Sequence, residues 1–276
     1  TMLPNEQDAS SRKNESVFDI VIVGGGITGS SLACTLVSSD ITQSQRVALV
    51  EFSDVSHLKE WKPPKNEFSN RVGADGLNSV VRSFTNIESL GWDYNAHAIV
   101  ATLHVDPLIE NATAWQRFLP TGSVAMLPLE NDSFNIGDEF EWRHNVESRE
   151  AKSRLPPLVL GVQKKSRAMF PLRMRNSESY VKERVVLVGD AAHTIHPLAG
   201  QGLNQGLEDV QCLAKVIEHG IITGQDIDYS SARYFSNVLM LGAVDKLHKL
   251  FGTKLAPIVL ARSLGLRIVN NIEPLK

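Results

Sequence analysis

The sequence predicts an α/β protein, and three observations carry that reading. Two short β-branched runs, FDIVIV ending at Val23 and RVVLV ending at Val188, each break into glycine and are followed by a helical pattern. Between them the chain alternates apolar and polar residues, as the strands of an antiparallel layer do. From residue 226 onward the apolar positions return to helical spacing.

Residues 1–16, TMLPNEQDASSRKNES, are polar and aperiodic and are expected to form a disordered leader. The run FDIVIVGGG then reads as a buried parallel strand, because continuous β-branched apolar residues suit a strand covered on both faces. The helix after it places Leu32, Ala33, Leu36 and Val37 on one side, and RVALVE (46–51) supplies a second strand, completing a β–α–β unit. Phe52 to Arg71 is polar, carries Pro63-Pro64, and shows no strand leading into Gly73. AIVATLHV (98–105) alternates, and WQRFLPTGSVAMLPL (115–129) reads as two strands turning at Thr121-Gly122. After RVVLVGD (184–190) a helix follows, with Leu203, Leu207, Val210, Ala214 and Ile217 at helical spacing. The expected organisation is therefore a discontinuous domain over 17–83 and 180–225, a smaller antiparallel sheet over 84–179, and C-terminal helices over 226–276.

Composition removes several function classes. A net charge of −3 without a basic cluster offers no face for phosphates of DNA or RNA, so no nucleic-acid partner is expected. No apolar run reaches the ~20 residues of a membrane-spanning helix. The only two cysteines, Cys34 and Cys212, lie in apolar helical patterns and read as reduced core thiols.

The chemistry begins at Gly24-x-Gly26-x-x-Gly29, between a strand and a helix. Gly24 permits a tight turn, Gly26 lets a pyrophosphate approach the backbone, and Gly29 lets the helix pack close to the sheet. The helix N-terminus offers unpaired N–H groups and a positive dipole end. Glu51 ends the next strand, placed for the adenosine ribose hydroxyls; an acid there disfavours a 2′-phosphate and suits FAD or NAD. A second constellation favours FAD. Asp190 follows a buried strand, placed for ribityl hydroxyls, and Gly200 and Gly202 bracket a helix start whose N–H groups can face the electron-rich edge of a flavin.

These motifs carry a resemblance. GDAAHTIHPLAGQGLN (189–204) is similar to the ribityl-binding motif of class A flavin monooxygenases, and GADGLNSVVR (73–82) resembles that group's Asp-Gly signature. AWQRFLPTGSVAMLPL, MFPL (169–172) and HPLAGQGLNQGLEDV look like the eukaryotic ubiquinone-biosynthesis branch of the family. The resemblance implies a Rossmann-like FAD domain of the glutathione-reductase type. It implies FAD contacts from Gly24, Gly26, Gly29, Glu51, Arg71, Asp75, Asp190, Gly200, Gly202, Leu203 and Asn204. It also implies hydroxylation of a polyprenylated 4-hydroxybenzoate-type ring with dioxygen and a ferredoxin-type or NAD(P)H donor. The partners it implies are a ubiquinone-synthesis complex and the matrix-side surface of the mitochondrial inner membrane.

Compared with that family, the stretch between Gly29 and Gly73 is short, and the likeness lapses within 133–150. Two other readings follow: a shortened, non-catalytic binding subunit, or another FAD-dependent prenyl-lipid oxidoreductase. No side chain stands out as an acid–base catalyst. Trp115, Phe118, Phe170 and Pro171 are candidates to line a substrate pocket, with core packing the equal alternative. His193 and His196 are three apart, but no third ligand lies nearby and Pro197 interrupts the helix, so a structural or flavin-proximal role is expected rather than a metal site. LAPIVLARSLGLRIVNN (255–271) suits a bilayer surface, the core or a partner.

Overall fold

In the computed structural model, the structure describes residues 18–51, 70–105, 113–119, 121–129, 133–137, 156–225 and 228–271. The expected leader, the Pro63-Pro64 run and much of 130–155 lie outside the described residues. The chain divides into two compact units. The first holds the chain up to Leu90, Arg175–Ile195 and Gly200–Val238; the second holds Gly91–Met174, His196–Ala199 and Leu239–Lys276.

The first unit is built on a five-stranded sheet. Its strands are β1 (Ile20–Val23), β2 (Val47–Val50), β3 (Asn70–Gly73), β10 (Val181–Lys182) and β11 (Val185–Leu187), in the order β10-β11-β3-β1-β2. All pairings are parallel except β10 with β11. Helix α1 (Ile27–Ser38) and helix α3 (Gly202–Thr223) pack together beside this sheet, α2 (Val80–Phe84) being a short helix after β3. The core joins Ile20, Ile22, Leu32, Leu36, Val72, Leu187, Val210 and Leu213. Each such side chain contributes ~1.5–3 kcal/mol through burial.

Several sequence expectations change here. Polar residues precede Gly73, yet β3 is a strand, because it is sandwiched between β1 and β11 and both neighbours pair with its backbone. Only Val72 and Gly73 of it are buried, which leaves too little apolar pattern to read. Val37, Leu203 and Leu207 are exposed, while Val210 and Ala214 are buried and Ile217 packs against the core; α3 also turns Gln205, Asp209 and Leu213 inward. Both thiols are free; Cys34 is exposed, while Cys212 is half-buried and packs against the core.

The second unit carries most of an antiparallel sheet of β4 (Ser89–Val105), β5 (Trp115–Leu119), β6 (Gly122–Leu129), β7 (Ser133–Gly137), β8 (Val159–Val162) and β9 (Ala168–Ser177). Its order is β12-β9-β4-β7-β6-β5, with β8 also pairing β4 and β12 (His193–Thr194) pairing the Arg175–Asn176 end of β9. The β5–β6 hairpin pairs Leu119 with Gly122, as the turn residues imply. Helix α4 (Tyr229–Gly252) is followed by α5 (Ala256–Asn271), and Arg262 Nη1 donates to the carbonyls of Leu250 and Phe251 at 2.9 and 2.8 Å, closing the C-terminal end of α4. No α5 residue with a described environment is buried, so the core-helix reading does not hold.

Candidate functional site

Four loops of the first unit leave the carboxyl ends of parallel strands: Gly24 after β1, Glu51 after β2, Ala74 after β3, and the Gly189–Ala191 turn after β11. In open α/β sheets ligands bind outside these ends, at the point where the chain switches sides of the sheet. Here β1 lies between β2 on one side and β3 on the other, which makes its carboxyl end that point.

The three glycines do different things. Gly24 has φ +110°, and a Cβ there would stand 2.3 Å from the Ala74 carbonyl oxygen. At Gly29 a Cβ would stand 1.9 Å from the Gly24 carbonyl oxygen, so the helix could not approach the loop. A Cβ at Gly26 would meet nothing within 4 Å. Gly26 is the exposed N-cap of α1, and no side chain caps the helix there. The protein's own packing does not require glycine at this position, but an anion lying on the helix N-terminus does. Glu51 is exposed, and one of its oxygens accepts the Gly25 N–H, which leaves the other available to a ligand.

The second half of the site is held from behind. Asp190 is exposed on the turn after β11. Gly189 in that turn has φ +59°, and a Cβ there would stand 3.0 Å from Thr28 Oγ1 of α1. Behind it Asp209 has no exposure and gathers four partners: Gly189 N at 3.0 Å, His193 Nε2 at 2.6 Å, Arg233 Nε at 2.7 Å and Asn237 Nδ2 at 3.2 Å. Burial alone would raise the Asp209 pKa; the bonds from His193, Arg233 and Gly189 outweigh it and hold the carboxyl below its ordinary value. His193 is thus a buried structural partner of Asp209. Among the described residues no cluster of three His, Cys, Asp or Glu could hold a metal.

Gly200 has φ +60° with open space around it, and α3 begins at Gly202 without a side-chain cap. Leu203 and Asn204 are exposed in its first turn, and Asn204 Nδ2 donates to Gln201 Oε1 at 3.1 Å. The two remaining expected contacts lie differently. Asp75 takes bonds from Ser79 Oγ (2.5 Å), Val80 N (2.7 Å) and Val81 N (3.1 Å), so its carboxylate caps α2 and shapes the loop after β3. Arg71 sits near the amino end of β3, where it lines a cavity of about 600 Å³ with Asn70 and Arg184, at the opposite end of the strands from the glycine loop. Sequence reasoning missed Arg82, whose guanidinium donates to the carbonyls of Ala191 (2.7 Å) and Leu77 (2.8 Å) and joins two of the four loops.

Of the apolar candidates in the second unit, Phe170 lines one of the cavities among the described residues, one of about 220 Å³. Trp115 packs against Leu103, Val105 and Met126, and Phe118 stacks on Phe251 at 4.3 Å, so both serve packing. Pro171 is exposed and lines no described cavity. That cavity also takes in His196, expected from the sequence to be structural or flavin-proximal, and His248, at which no local motif points to a ligand.

The family model for an FAD binding domain matches residues 71–226. The chain is 38% identical over 256 residues to the ubiquinone biosynthesis monooxygenase COQ6, mitochondrial, of Xenopus tropicalis, covering 74% of this chain and 55% of that protein. It is 37% identical over 261 residues to the protein of that name from Schizosaccharomyces pombe (74% and 54%), and 33% identical over 312 residues to that from Saccharomyces cerevisiae (87% and 65%). The chain thus spans about half the length of most of these relatives. Solved structures share the fold: PqsL, a probable FAD-dependent monooxygenase of Pseudomonas aeruginosa (TM-score 0.66, 16% identity, 88% of this chain and 99% of that one), and CabE, an aromatic hydroxylase of angucycline biosynthesis (0.63, 16%, 94% and 74%).

Proposed function

The chain belongs to the family of FAD-binding domains, and from that premise we propose that it is an FAD-dependent monooxygenase acting in ubiquinone biosynthesis. Its substrate in this reading is a polyprenylated 4-hydroxybenzoate-type intermediate, whose aromatic ring it hydroxylates. The observation that carries the proposal is the cradle at the strand ends, where Gly26 alone of the three motif glycines is required by nothing in the protein itself. The COQ6 relatives support the setting in ubiquinone biosynthesis, and the choice of ring substrate follows from the family resemblance.

When bound, FAD supplies the reductive activation of dioxygen. The chain's residues do the rest. Gly24, Gly26 and Gly29 bring the N-terminus of α1 to the pyrophosphate, and Glu51 takes the ribose hydroxyls. Asp190 takes the ribityl chain, and the uncapped first turn of α3, from Gly202 through Leu203 and Asn204, offers N–H donors to the electron-rich flavin edge after the open bend at Gly200. Asp75, Arg82 and the Asp209 network position these loops. Arg71, near the amino end of β3 and away from these loops, is assigned to FAD through the family resemblance alone.

In this reading the discontinuous domain over 17–83 and 180–225 holds FAD and the sheet over 84–179 meets the substrate. The protein works in mitochondria, on the matrix face of the inner membrane, within a ubiquinone-synthesis complex and with a ferredoxin-type or NAD(P)H donor. The names of the relatives support the mitochondrial setting. The exposed apolar residues of α5, among them Leu260, Leu264 and Ile268, support contact with a bilayer surface, since no helix among the described residues is long and apolar enough to cross one.

The test is oxygen incorporation. One oxygen atom goes to the ring, the other leaves as water, and two electrons come from the donor. With FAD, a reductant and a short-prenyl 4-hydroxybenzoate under ¹⁸O₂, the purified chain yields a ring product heavier by one ¹⁸O atom. A flavin-loaded chain that oxidises the reductant but leaves the ring unlabelled contradicts the proposed activity.

A further inference from the structure

The 220 Å³ cavity of the second unit is small beside the ~300–1,000 Å³ of drug-sized sites, and suits a single ring. Residues 96–100 of β4 border it, Ala98 and Val100 among them, and Ala125 and Leu172 add apolar wall from β6 and β9. His196 and His248 form a polar wall.

That wall is assembled with some care for orientation. The two imidazoles lie 4.4 Å apart, and Tyr94 meets both edge-on, at 4.7 and 4.9 Å. Tyr94 is itself fixed, its hydroxyl donating to Asp245 Oδ1 at 2.9 Å, while Lys249 Nζ donates to Asp245 Oδ2 at 2.8 Å. His196 is almost fully buried, and its Nδ1 accepts the Leu198 N–H at 3.1 Å. His248 is half-buried, and among the described residues no protein group hydrogen-bonds either of its nitrogens. Burial lowers the pKa of both imidazoles, that of His196 to about 4, so at neutral pH His196 is uncharged. A neutral imidazole offers one donor and one acceptor; His196 Nε2 is buried without a partner, and both nitrogens of the half-buried His248 are available to a ligand.

We propose that His248 hydrogen-bonds the oxygen of a phenol-type ring seated in this cavity, with His196 and Tyr94 as the positioning residues that hold its imidazole. This rests on the reading of the chain as an aromatic-ring enzyme and gives that reading a residue for ring recognition. The hydrogen bond marks the oxygen-bearing carbon and so sets which ring edge faces outward. A prenyl tail exceeds the cavity and extends beyond it.

The test compares 2-allylphenol with allylbenzene, which differ by one hydroxyl, on the full chain. The expected result is a preference of about tenfold for the phenol, with its addition shifting the side-chain ¹⁵N resonances of His248. In H248F the preference falls to near onefold while allylbenzene affinity stays within about twofold; H248Q, which keeps a donor and an acceptor, retains part of it. Far-UV circular dichroism and FAD absorbance identify variants that fold. A folded H248F that keeps the wild-type preference overturns the inference, as does a wild-type chain that binds neither ring or binds both equally. Loss of FAD binding by the wild-type chain is a separate result: it removes the enzyme reading, while the ring preference still decides the role of His248.

Discussion

Asp209 shows how much of the site's geometry depends on one residue that touches no ligand. Its two oxygens connect the turn carrying Asp190, through Gly189 N and His193, to Arg233 and Asn237 on α4. Asp209→Asn removes the charge and leaves the nearly buried Arg233 facing an amide, with its remaining ion pair to Glu208 at 2.9 Å partly exposed. Breaking a buried pair in this way costs ~3–5 kcal/mol, measurable as a lower urea midpoint. The pH dependence has a definite sign. Because the folded carboxyl titrates below its unfolded value of about 3.9, its contribution is complete above that pH and is lost as pH falls through the folded value. The stability gap between wild type and D209N therefore narrows below about pH 4. A gap constant down to pH 2 contradicts the assignment. Asp75 teaches a related lesson: a carboxylate in a motif can serve the loop's own N–H groups, here those of Val80 and Val81.

At the scale of elements, the β1–α1–β2 unit depends on close approach. A methyl at Gly29 would stand 1.9 Å from a backbone oxygen, and the backbone cannot yield as a flexible side chain would. Gly29→Ala should lower thermal stability by ~1–3 kcal/mol, the usual range for overpacking, and weaken FAD affinity together with it. Unchanged stability would show that α1 does not sit against the glycine loop. Helix α3 explains why hydropathy found only part of its buried face, Val210 and Ala214 but not Gln205 or Asp209. Its inner side carries Gln205 and Asp209, which are buried because Arg233, Asn237 and His193 satisfy Asp209, and no apolar periodicity reports such a network. Strand β3 escaped for the opposite reason: a four-residue strand with two buried positions has no period to detect.

Across the molecule, the parts legible in the sequence are those with local causes. Glycines at a strand-to-helix turn, β-branched runs ending at Val23 and Val188, and the Thr121-Gly122 hairpin all act within a few residues. The parts that were not legible are assembled from distant segments. His248 meets His196 and Tyr94 only because α4, β4 and the turn at Pro197 converge, and Arg82 reaches Ala191 across more than a hundred residues. Trp115 and Phe118 could be read by type as pocket or packing residues, and only their distant partners, Leu103 and Met126 for one and Phe251 for the other, show the packing.

The central claim is that the carboxyl ends of β1, β2, β3 and β11 hold FAD, and Gly26 tests it most directly. Its φ of −63° is open to any L-residue, and a side chain there meets no protein atom within 4 Å at the Cβ. Gly26→Val should therefore fold as wild type does, with the same melting temperature for the FAD-free chain. The measurement is bound-flavin absorbance after equilibration with FAD. The account predicts near-stoichiometric flavin on the wild-type chain and at least a hundredfold weaker binding to G26V. Equal flavin occupancy in the two proteins would place the cofactor elsewhere and contradict the account.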